Sequence, residues 1–177
     1  MAEMILLNYR PDIMGGNNSV LALLFDMNKL WEEYIATQIR KSLKPGWRVH
    51  THTTSIFWGL DNSNRSKLII PDLFVTNNQG RSVIIDTKWK LLTDYVPDDA
   101  DLKQIYAYNK YHKTPHGLLL YPSEEYLESL MYKGGSYLTQ ENIKCGTAKV
   151  SLLNADGGYL DKNLGRKIMS FVEAGQF

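Results

Sequence analysis

One cysteine, Cys145, stands among 177 residues, which excludes an internal disulfide and a cysteine-built zinc site and fits a reducing compartment. Long hydrophobic runs are also missing. No apolar stretch approaches the ~20 residues of a membrane-spanning helix, and the N-terminus lacks the charged, apolar and small-residue order of a signal peptide. A cytoplasmic location, with no membrane partner, is expected. Net charge is nearly absent at +1, which argues against a strong, autonomous, non-specific DNA binder but leaves room for a local basic patch and for help from a partner. His50, His52, His112 and His116 form no metal-ligand pattern, and we assign them no role. Gly134-Gly135 and Gly157-Gly158 lack the strand, helix and following Lys-Ser/Thr of a phosphate loop, so nucleotide binding by this chain is not expected.

What is present is an ordinary globular composition, 11% aromatic and 22% charged. A chain of this length buries roughly 70% of its unfolded surface, enough for a full core without a metal or disulfide staple. No repeat or linker divides it. Residues 1–19, with Pro11 and Gly15-Gly16-Asn17-Asn18, read as an irregular lead-in holding one short strand at 4–7. Residues 20–177 read as one domain. Ser19 is placed to cap a helix over 20–43, in which Leu23, Leu24, Met27, Leu30, Trp31, Tyr34, Ile35 and Ile39 recur at amphipathic spacing. A β-rich segment at 47–58 follows, and 61–64 is a loop. The residues Pro97, Asp98 and Asp99 begin a second helix running to His112, stopped by Pro115. A buried strand is expected at 117–122, a turn at Gly134-Gly135, a strand near 148–153 and a helix near 160–172. The sum is an α/β fold, a mixed central sheet flanked by helices.

Two hydrophobic runs, 68–75 and 83–88, each carry a carboxylate where a buried strand should have none. Asn77-Asn78-Gln79-Gly80 between them is a turn, so the runs form an antiparallel hairpin. A turn centred near Gln79 brings Asp72 and Asp86 to facing or diagonal positions, roughly 5 to 8 Å apart if they share a face. Two buried carboxylates that close persist only if one is protonated or a cation lies between them. Lys88, two residues after Asp86, falls on the same face. Mg²⁺ takes oxygen ligands and keeps several waters, so Asp72, Asp86 and the Thr87 carbonyl form an appropriate protein contribution, and Lys88 is placed to orient a water or stabilise developing charge. A third carboxylate is available from Glu32 or Glu33 on the first helix, Glu32 lying slightly nearer the centre of the apolar face. Gln104 and Tyr108, four apart, share a helix face beside a core stripe of Leu102, Ile105 and Tyr106 and could hold DNA backbone or waters. The cations Arg65, Lys67, Lys88, Lys90, Lys103, Lys110 and Lys113 flank this set in sequence, as a DNA-facing strip or an ordinary solvated surface.

Pro71-Asp72 and Asp86-Thr87-Lys88, after a glutamate-bearing helix, resemble the pattern of the restriction-endonuclease-like PD-(D/E)xK fold, and Gln104 to Tyr108 resembles the QxxxY element of its RecB-like branch. The segments 25–35, 70–72, 86–90 and 101–108 together resemble the nuclease domain of the McrC family, the cleaving subunit of modification-dependent McrBC restriction systems. The similarity spans about residues 20–122. It implies a Mg²⁺-dependent DNA endonuclease, with Mn²⁺ able to substitute, whose metal ligands map to Asp72, Asp86, Thr87 and Glu32 and whose catalytic lysine is Lys88. It also implies an AAA+ GTPase motor of McrB type as partner, and a homodimer for double-strand cleavage. Little of the N-terminal portion through which that family engages its motor is visible. A different class is a non-catalytic DNA-binding or assembly module of a restriction complex, against which the intact acid-acid-lysine set speaks. Glycoside hydrolysis fits poorly, since Lys88 is expected to hold Asp86 ionised.

Overall fold

A computed structural model describes residues 26–138 and 142–177. The strand expected at 4–7 and the cap expected at Ser19 lie outside them. The described chain runs α1 (Met27–Ser42), β1 (Trp47–Thr51), β2 (Ser55–Gly59), β3 (Ser66–Ile69), β4 (Leu73–Asn77), β5 (Ser82–Thr87), α2 (Asp99–His112), β6 (His116–Ser123), β7 (Met131–Ser136), β8 (Lys144–Ser151) and α3 (Leu164–Ala174). Six strands form one mixed sheet in the order β1-β4-β5-β6-β8-β7, while β2 and β3 pair only with each other. The central pairs β5-β6 and β6-β8 are parallel, and the outer ones antiparallel. The expected mixed sheet with flanking helices is what the chain builds. No helix among the described residues is long and apolar enough to cross a membrane.

The first helix starts later than expected, because Asp26 is extended and its carboxylate accepts from the Lys29 amide at 3.2 Å, so Asp26 rather than Ser19 caps it. Met27, Trp31, Ile35 and Ile39 then fall on one stripe and are buried with Val83, Ile85, Leu118 and Leu120 and the apolar face of α3. The opposite sheet face packs Ile84, Leu119 and Tyr121 against Ile105 and Tyr108 of α2. Strand β5, covered on both sides, therefore reads as a continuous apolar run. Helix α2 spans the expected residues, although it is Lys113, in the left-handed region at φ 53°, that ends it, two residues before Pro115.

Five other expectations differ. The run 68–75 is not one strand: Pro71 offers no amide to a ladder, so β3 ends at Ile69 and β4 starts at Leu73. The segment 47–58 likewise splits into β1 and β2, which join different sheets. The Gly134-Gly135 pair lies inside β7 instead of making a turn, with Gly134 opposite Gly146. These glycines answer a crowding problem, since a Cβ on Gly146 would come within 2.0 Å of the Tyr132 ring and one on Gly135 within 2.9 Å of the Cys145 carbonyl. Strand β8 begins at Lys144 and α3 at Leu164, four residues before and after their expected starts near 148 and 160.

Helices α1 and α3 touch backbone to backbone at Gly165, where a Cβ would lie 2.0 Å from the Gln38 carbonyl oxygen. Gly165→Ala must push the helices apart and is expected to destabilise by about 2 kcal/mol or more, read as a lowered denaturant midpoint with an unchanged slope.

Candidate active site

The register of β4 against β5 pairs Leu73 with Ile85, so the next residues outward, Asp72 and Asp86, face each other as the turn centre implied. They stand at the carboxyl end of β5, the end of a parallel strand where α/β sheets open their crevices. Asp72 is held by Thr87, whose amide and hydroxyl both donate to its Oδ2 at 2.7 and 2.9 Å. Asp86 is 1% exposed. Its Oδ2 lies 2.8 Å from the Lys88 ammonium, yet neither of its oxygens accepts a well-aligned hydrogen bond. Burial, reinforced by the charge of Asp72, pushes the Asp86 carboxyl up to about 7 despite Lys88. Burial and Asp72 thus work against the ionised form that Lys88 is expected to hold.

Lys88 faces three oxygens: Asp86 Oδ2, Gln104 Oε1 at 2.8 Å and Asp101 Oδ1 at 3.5 Å. Burial works against its charge, but Asp86 and Asp101 outweigh that and raise its pKa, so it remains an ammonium. Because an ammonium only donates, Gln104 must turn its carbonyl to Lys88, and its amide group donates to Tyr108 Oη at 2.8 Å. Tyr108, its phenol pKa raised by burial, keeps its own hydrogen to give. The two α2 residues singled out from sequence thus join Lys88 in one chain of hydrogen bonds. Tyr108 belongs to the buried stripe of α2 with Ile105.

Glu32 reaches the rim from α1. The helix is fixed beside the site by Trp31, whose ring lies 5.5 Å from that of Trp89, and by Asn28, which accepts from the Trp89 amide at 3.2 Å. The Glu32 side chain is 17% exposed against 48% for Glu33, which favours Glu32 as the inward carboxylate. Burial and Asp72 raise its pKa. Sequence reasoning missed two neighbours. His52, assigned no role, lies 3.2 Å from Glu32 through Nε2, in the left-handed region at φ 54°. Asp101 bridges Lys88 and Lys90, the latter at 2.7 Å, and Lys90 also pairs with Asp98. Asp101 was findable, since 101, 104 and 108 share one helix face; the approach of His52 depends on a loop and left no periodic signal.

Among the described residues no three His, Cys, Asp or Glu side chains are grouped closely enough to hold a metal ion by themselves. The donor set nevertheless suits a hard divalent cation. Asp86 has a buried oxygen without a hydrogen-bond partner, and Glu32, Asp72, Asp86 and Asp101 outnumber the ammoniums of Lys88 and Lys90. Mg²⁺ commonly binds through one or two carboxylates and completes its shell with water.

Fold and site together define an α/β domain with an acid–lysine centre at the mouth of a parallel strand. The model of the family described as McrBC 5-methylcytosine restriction system component matches residues 1–122, and the chain belongs to that family. Among solved structures it is similar to a chain in a half-complex from the tetradecameric assembly of Thermococcus gammatolerans McrB AAA+ hexamers with bound McrC, at 19% identity and a TM-score of 0.60. The match covers 82% of this chain and 33% of that one, so the chain spans about a third of its relative's length. No curated protein matches. The expected relation to the McrBC restriction family is borne out.

Asp86 sets a pH signature. With a folded-state pKa near 7 against an ordinary 3.8, the folded form binds the extra proton, so stability is highest below pH 4 as far as this group is concerned and declines as pH rises to about 7. Asp86→Asn is expected to remove that decline, measured as denaturant midpoints across pH 4 to 8 without metal.

Proposed function

We propose that this chain is a metal-dependent DNA endonuclease of the PD-(D/E)xK kind, the cleavage module of an McrBC-type restriction system. The observation that carries the reading is Asp86: a carboxylate buried at a strand end, facing Asp72 and touching Lys88, with an oxygen that accepts no hydrogen bond. A structural ion pair would gain stability by replacing such a group with apolar side chains, so its retention points to chemistry.

Asp72, Asp86 and the Thr87 carbonyl would hold Mg²⁺ or Mn²⁺, with water completing the shell and Glu32 at the rim as the third carboxylate, reached through such a water. When bound, such an ion neutralises the phosphoryl charge and lowers the pKa of water. The remaining work falls to the chain. Lys88, oriented by Gln104 and Asp101, keeps an ammonium beside the reacting phosphate and stabilises the charge that develops there. Tyr108 offers a hydrogen-bond donor toward the DNA side. Asp101 and Lys90 hold Lys88 in place. Recognition of modified DNA and activation belong to an AAA+ GTPase motor of McrB type, a division of labour that the chain's small net charge supports, and cutting both strands calls for two copies.

The test is a thermal melt with and without Mg²⁺ or Mn²⁺, alongside plasmid cleavage with candidate AAA+ partners. At one hundred times the dissociation constant the ion should add about 2.7 kcal/mol, a shift of roughly 5 to 10 °C. Asp86→Asn should abolish the shift. Lys88→Ala should keep it and lose at least about 100-fold in cleavage. No shift in the wild type would favour the non-catalytic assembly role.

A further inference from the structure

We infer that the β2–β3 ribbon is a DNA-docking element that enters a groove of the duplex beside the scissile phosphate; this rests on the nuclease reading above. The ribbon is a separate two-stranded sheet. It carries Ile56, Phe57, Trp58, Leu60 and Leu68 between 45% and 63% exposed, an apolar surface that neither core cluster covers. It is nonetheless a built structure. The tip is closed by the Leu60 amide donating to the Arg65 carbonyl at 2.9 Å and the Arg65 amide donating to Ser63 Oγ at 3.0 Å. Its base is pinned to α2, where Tyr111 donates to the Ile56 carbonyl at 2.8 Å and packs edge-on against Phe57.

The occupant is argued from charge, shape and position. Arg65 and Lys67 are exposed, and among the described residues neither side chain meets a carboxylate. Lys67 stands directly across from Trp58, so a cation and a large ring are presented together, the pairing that holds phosphate and nucleotide faces. The major groove is wide enough for a two-stranded ribbon. Finally, β3 leads through Ile70 and Pro71 straight to Asp72, so a duplex gripped by the ribbon is held next to the carboxylates. A second copy of the chain fits less well, since a two-fold contact through this face gathers four cations, Arg65 and Lys67 from each copy, into one interface.

The experiment measures binding of the 177-residue chain to a short labelled duplex by fluorescence anisotropy in Ca²⁺, with Arg65→Ala/Lys67→Ala and Trp58→Ala as variants, each checked by thermal melting and by its Mg²⁺ shift. The double variant is expected to bind at least about tenfold more weakly with a salt slope reduced by about 2, at unchanged melting temperature and Mg²⁺ shift. Trp58→Ala is expected to weaken binding with the salt slope retained. Wild-type affinity in the double variant overturns the inference. So does Trp58→Ala that lowers the sedimenting mass while leaving duplex affinity intact, which would make the ribbon an interface between copies. A wild type that shows the Mg²⁺ shift but no duplex binding overturns the ribbon alone; a wild type without the shift overturns the nuclease reading itself.

Discussion

A carboxylate cannot be buried at the end of an apolar strand without something to answer its charge, and Asp86 sets that constraint for this protein. Lys88, on the same face, answers part of it at 2.8 Å, and burial still lifts the carboxyl toward neutrality. The ammonium has to be held there in turn. Gln104 and Asp101 supply acceptors from α2, Tyr108 and Lys90 support those two, and each partner is itself constrained by packing. Asp101, Gln104 and Tyr108 make one face of α2 the wall of a charged centre, while Asp99, Lys103 and Lys110 lie on its solvated side.

The opposite wall comes from α1, where aromatic packing sets the geometry. Trp31 is fully buried against Trp89, and Asn28 catches the Trp89 amide, so the helix is clamped to the residue following Lys88. One position beyond Trp31, Glu32 must then look toward the site. The close approach at Gly165 lets α3 back this helix, so a core contact far from the chemistry helps fix the direction of a carboxylate. The chain belongs to the McrBC family and spans about a third of the length of the relative it matches.

Much of this was legible before any coordinates. The turn residues around Gln79 determine which residues face each other, because antiparallel pairing is symmetric about its turn, and Asp72 opposite Asp86 follows. The residues 99–112 carry their own start and periodicity, and α2 spans them. Other features were not legible. Gly134-Gly135 has the chemistry of a turn, and only the close approach of the Cys145 carbonyl to Gly135 and of the Tyr132 ring to Gly134 and Gly146 shows why a strand carries glycine there. Histidines in alternation carry no hint that a left-handed backbone at His52 will bend one of them back to α1. The run 68–75 looks continuous by hydropathy, and its division depends on Pro71 sending β3 to a different partner.

By itself, then, the amino-acid order determined the alternation of buried strands and amphipathic helices, the facing acids and the lysine two places on, because these depend on periodicity and on short loops. The tertiary structure decided which glutamate looks inward, how His52 joins the centre, and that an apolar ribbon stands clear of the core. Those outcomes depend on contacts between elements far apart in the chain, whose distances are set by packing and desolvation and leave no periodic trace in sequence.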